Sequence, residues 1–208
     1  MRIQIMNYKS KLTRTDYEDF LVRVVIGSGN TFIHLCINRA YRDFNRTMHG
    51  FTKFDAERKI FNKAVSLIKK SLEDLRALCL VQPMTADIFD NWHKTSCINI
   101  ITHFKNNNYH LYVGQAQKWV NMTMKYIFVL GEQRIPGFGS IYPYCHVPID
   151  SILQISLENY GYPPLHCAWS RVDDYDEYLK RQNWIRLRFT LAPLDVEFKL
   201  WMGQEIEI

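Results

Sequence analysis

Gly114-Gln-Ala-Gln-Lys118-Trp-Val-Asn-Met-Thr-Met-Lys125-Tyr-Ile-Phe-Val-Leu130 decides the fold. After its first turn this run is apolar on nearly every side, the pattern of a helix buried in a core rather than laid on a surface. A lysine is rarely placed on such a helix without a partner or a job. The positive end of the helix dipole and partial burial both disfavour an ammonium, which frees the amine of Lys118 as a nucleophile. A lysine stem in a first turn can equally snorkel to solvent and have no role.

Two further segments carry similar chemistry. His146-Val147-Pro148-Ile149-Asp150 precedes an apolar run, Ser151 to Leu157. A proline in the first turn and an acid just after it signal a helix start, where the dipole keeps a carboxylate ionised. Asp150 therefore reads either as a helix cap or as the acid partner of an amine. Pro193-Leu-Asp-Val-Glu197-Phe-Lys-Leu-Trp201 has a proline suited to a first turn, with Glu197 and Trp201 four apart on one face. An acid and an indole so placed can bond and stack a flat heteroaromatic ring; the same spacing also fits a core tryptophan beside a solvated acid.

Taken together, Gln117-Lys118, Pro148-Ile149-Asp150 and Pro193-Leu194 with Trp201 eight positions after Pro193 resemble the archaeal-type 8-oxoguanine DNA glycosylases, part of the helix-hairpin-helix glycosylase superfamily. The resemblance covers about Val113 to Trp201. It implies a two-lobed, mainly helical domain and a bifunctional DNA glycosylase and AP lyase acting on DNA with a modified base, without metal or organic cofactor. Lys118 is the implied nucleophile, Asp150 the activating acid and Trp201 the stacking wall. Glu197, Met122, Lys125, Pro148 and Gln117 complete the implied base pocket. The family's hairpin before the lysine falls on Tyr112 to Gln117, making Gly114 a DNA-backbone contact. Two departures stand out: Glu197 occupies the position of a family aspartate, and Pro-Ile-Asp replaces Pro-Val-Asp.

Composition is compatible with this reading. The 208 residues suit one domain, with approximate lobes at 1–110 and 111–208. The formal charge is +5 and uneven: residues 1–80 hold 15 Lys and Arg against 8 Asp and Glu, a balance of +7, and the rest carries −2. A basic N-terminal half suits a polyanion and equally serves solubility. The five cysteines are scattered and odd in number, there is no signal-peptide pattern and no apolar run fits a membrane span, so an intracellular protein with reduced thiols is expected. Cys145-His146 and His166-Cys167 are adjacent pairs, not a zinc-ligand spacing, so no metal is expected.

The rest of the chain reads as mainly α. Helices are predicted at 16–26, 31–47, 55–80, 85–104 and 173–189, with 183–190 ambiguous because Trp-Ile-Arg-Leu-Arg-Phe alternates. Arg2-Ile-Gln-Ile reads as a short strand. Gly27-Ser-Gly reads as a turn, and the Pro- and Gly-rich stretch 131–144 is long enough to shape a pocket mouth. Arg39, Arg42 and Arg46 form a stripe along one predicted helix face, either solvated or in contact with phosphates. Two other functions fit: a non-catalytic nucleic-acid or nucleotide-binding module on the same fold, and a helical ribonuclease using Arg42 and His49.

Overall fold

The computed structural model describes residues 11–29 and 31–208. They are mainly helical, with no strand among the described residues. The strand expected at Arg2 to Ile5 lies outside them. The α-helices are α1 Arg14–Val25, α2 Phe32–Phe44, α3 Phe51–Phe54, α4 Lys59–Val81, α5 Ala86–Asn106, α6 Val113–Leu130, α7 Ser151–Glu158, α8 Tyr175–Arg188 and α9 Pro193–Trp201. Short 3-10 helices lie at Asn45–Thr47, Gly139–Tyr144 and Trp169–Arg171.

The architecture is built around α6. Every residue from Val113 to Ile127 is buried, as an all-round apolar helix must be. On one side α2 and α5 pack against it; α8 and the 3-10 helix at 169–171 contact it elsewhere. Trp119 anchors the α2 side. Its ring stacks on Phe61 at 5.8 Å and meets Tyr41 and Phe44, and its indole N–H donates to Ile37 O at 3.0 Å. The apolar core is continuous from Ile26 to Ile206, so the halves 1–110 and 111–208 share α6 as a common centre.

Several helix bounds differ from the predicted ones for visible reasons. The helix expected from Asp55 begins at Lys59, because Arg58 takes a left-handed backbone (φ 56°). Asp55 instead turns its carboxylate onto the amides of Ile60 and Phe61, at 3.2 and 2.8 Å, and satisfies the start of α4 from outside it. The helix expected to 47 tightens to 3-10 geometry after Phe44. The ambiguous 183–190 stretch is helical through Arg188. Tyr112 to Gln117, expected as a hairpin, is the cap and first turns of α6. Among the described residues no helix is long and apolar enough to cross a membrane. The cysteines are free, with Cys36, Cys97 and Cys145 buried.

Candidate active site

Lys118 and Asp150 meet. Lys118 Nζ donates to Asp150 Oδ2 at 2.6 Å and to Pro148 O at 3.1 Å. Lys118 is the sixth residue of α6, one turn deeper than the sequence suggests, and its side chain is only 4 % exposed. Asp150 caps α7: its Oδ1 accepts from Leu153 N at 2.9 Å, and its side chain keeps 21 % exposure. One carboxylate thus serves a helix start with one oxygen and an amine with the other. Pro148 does not sit in the first turn of α7 as expected; it precedes the cap, in the segment that leads into it, and contributes its carbonyl.

A second pair lies seven residues along α6. Lys125 Nζ is 2.7 Å from Glu197 Oε1 and 2.6 Å from Oε2, with the hydrogen bond directed to Oε1 and no well-directed donor at Oε2. Burial raises the Glu197 carboxyl above its ordinary range, and Lys125 opposes that rise. Lys118 and Asp150 also act on Glu197 electrostatically, so the two pairs share one neighbourhood. The Lys125 ammonium lies 4.6 Å from the Phe198 ring and 5.5 Å from the Trp201 ring. Trp201 closes α9 with 63 % of its surface exposed, so its indole is available to a ligand and is not a core side chain. Met122 lies between the lysines on the same helix face and is buried.

The segment that delivers Pro148 and Asp150 is held by a buried polar chain, of which sequence reading named only Gln117, and that as pocket lining; here its amide is taken up by the chain itself. Gln117 donates to Ile149 O at 2.9 Å and to Gly114 O at 3.0 Å. Asn121 donates to Gln117 Oε1, Val147 O and Tyr178 OH. Gln182 pairs with both backbone groups of Val147. His146 is bonded to Tyr178 OH at 2.9 Å and to Asp90 at 2.8 Å, and Arg186 grips Asp90 with two nitrogens at 2.7 and 2.8 Å. Burial pushes His146 down to about 4 against the pull of Asp90, and burial together with His146 pushes His93 down as well. Burial works against the Asp90 carboxylate, but His146 and Arg186 outweigh it and hold it below the usual range. Cys145 and His146 are thus spent on packing and bonding, and no group of three or more metal-ligating side chains occurs among the described residues.

The arginine stripe divides. Arg39 is drawn into an ion pair with Asp43 and lies over the Tyr126 ring, so it is not the free phosphate contact expected. Arg42 is exposed and lines a separate cavity with His34 and Arg58. Arg46 lines a third place, an open cleft that also holds His49 and Ser151. Arg42 and His49 therefore line different cavities. Gly114 is also not a backbone contact for DNA: its amide donates to Val172 O at 2.8 Å and it is buried. A Cβ there would lie 1.9 Å from Trp169 O, so only glycine permits this approach. Comparison with protein-family models, curated proteins and solved structures gave no match for this chain.

Proposed function

We propose that the chain is a bifunctional DNA glycosylase and AP lyase that excises a modified base of 8-oxoguanine type, on a helix-hairpin-helix glycosylase type of fold. The single observation that carries the reading is the buried contact between Lys118 Nζ and Asp150 Oδ2 at 2.6 Å, formed by residues 32 positions apart. A base stacked in a duplex cannot offer its glycosidic bond to such an amine, so the nucleotide is flipped out. Trp201 replaces the lost stacking, and Lys125 offers an ammonium beside it. Asp150 takes the proton of Lys118 or steadies the positive charge that develops on the sugar. The neutral amine attacks C1′; the bond from C1′ to the base breaks, and the base leaves with the electron pair and gains a proton. Opening of the sugar ring gives a Schiff base, and loss of a C2′ proton then expels the 3′ phosphate.

Borohydride trapping on modified and abasic duplexes tests this. A covalent adduct with the wild-type protein, lost in Lys118→Gln, is the expected result. A second reading keeps the DNA site without the chemistry: Lys118 already has two acceptors and 4 % exposure, which suits a held, non-reacting ammonium. Base-selective binding with no adduct on any substrate decides for it.

A further inference from the structure

An open cleft of about 810 Å³ lies beside the lysine site, with Ser151, the residue after Asp150, in its wall. Its lining includes Arg46 and His49 on one side and Trp169 and Arg171 on the other. Arg46, His49 and Arg171 are exposed, and no ion pair engages their side chains among the described residues. The acid in the lining, Asp43, is already held by Arg39 and by Tyr126 OH. The cleft is therefore lined by basic side chains with its one carboxylate compensated.

Its walls are set by α6, the helix that carries Lys118. Gln115 Nε2 donates to Thr47 O at 3.0 Å and to Thr47 Oγ1 at 3.1 Å, which fixes the wall bearing Arg46. Gly114 fixes the other: its amide bonds Val172 O and its bare Cα lets the Trp169 carbonyl approach. Adjacent residues of one buried helix thus space two arginines across an opening that adjoins the catalytic acid.

We propose that this cleft binds phosphodiesters of the DNA strand whose base enters the Lys118 site, with Arg46 and Arg171 as the phosphate contacts. The proposal rests on the glycosylase reading for its occupant. It replaces the stripe of Arg39, Arg42 and Arg46 with a different set, drawn from two distant parts of the chain.

The test is the salt dependence of binding to an unmodified duplex oligonucleotide, which needs no catalysis. Each lost phosphate contact lowers the log–log slope by about 0.9, so Arg46→Gln with Arg171→Gln should lower it by roughly 1.8. At ~0.15 M salt that is on the order of 30-fold weaker binding. The double lysine variant, Arg46→Lys with Arg171→Lys, should retain the slope, and Arg42→Gln should leave it unchanged. Thermal melts of all variants separate contact loss from unfolding. A wild-type slope in the folded glutamine variant, an equal drop in Arg42→Gln, or no duplex binding by the wild-type chain at low salt would each overturn the proposal. So would a tenfold preference for RNA of the same sequence. Trapping is scored separately: absence of an adduct with a normal slope change sinks the lysine chemistry and leaves the cleft standing, and an adduct with no slope change does the reverse.

Discussion

The two lysine–carboxylate pairs of α6 have nearly the same length and opposite settings. Lys118 and Asp150 are 2.6 Å apart, as are Lys125 and Glu197. Asp150 keeps 21 % side-chain exposure and a second bond to a helix amide, whereas Glu197 keeps 4 % and is walled in beside Phe198. A buried pair is weak evidence of stability in itself, but removing one partner of a fully enclosed pair strands a charge. Distance alone therefore does not distinguish the two pairs. The second bond of the acid and its access to water do.

The largest expected effect breaks the comparison outright. Lys118→Gln should abolish the trapped adduct, a loss of at least ~1000-fold set by removal of the nucleophile. Lys125→Ala should still give an adduct wherever the protein remains folded, and equal loss in both variants would assign the chemistry to the pair of lysines jointly. Stability should rank the other way. Lys125→Ala leaves Glu197 enclosed and unpaired, and denaturant titration should read a loss of about 3–5 kcal/mol. Lys118→Ala leaves Asp150 its helix amide and some water, with a loss of about 1–3 kcal/mol. Equal losses would erase the distinction between the sites.

Acid should sharpen the difference further. Burial holds His146 near 4, below the ordinary value of 6.5, so between these pH values the unfolded chain binds more protons than the folded one. Stability must then fall as the pH drops from 6.5 toward 4, by up to roughly 3 kcal/mol from this residue at ~1.4 kcal/mol per unit. His93 adds in the same direction. Since His146 opens the segment that carries Pro148 and Asp150, hydrogen exchange should show α7 loosening in acid before α9. Flat melting temperatures across this window would refute the neutral-histidine assignment. The smallest effect belongs to Trp201→Ala: about 1–3 kcal/mol of binding to a modified base, roughly 5- to 150-fold, with stability changed by about 1 kcal/mol or less. A larger stability loss than binding loss would return the indole to packing.

What could be read from the sequence was local. The burial of α6 follows from its apolar run, and Asp150 and Pro193 stand at helix starts because their residue types favour those positions. The meeting of Lys118 with Asp150 was expected from their helix-start settings, and the family resemblance added to it; Lys125 and Glu197 were each named for the pocket, but their contact was not foreseen. The Asp90–His146–Tyr178 chain left no such trace, since a buried histidine and a surface one look alike in sequence. The arginine stripe lost Arg39 for a visible reason: Asp43 stands four residues after it, a spacing that invites an ion pair on the same face. Gly114 was legible as a special position but not as to what approaches it. Asp55 looked like the first residue of a helix and proved to cap one from outside.

The burial of α6 also determines which parts can move. A helix enclosed from Val113 to Ile127 cannot slide or roll without opening the core around it. Lys118, Met122 and Lys125 are therefore a fixed ruler, with their spacing set by helix pitch. The facing carboxylates stand on separate pieces, Asp150 at the cap of α7 and Glu197 on the short α9 that ends on Trp201, so any change in the geometry of either pair has to come from those pieces.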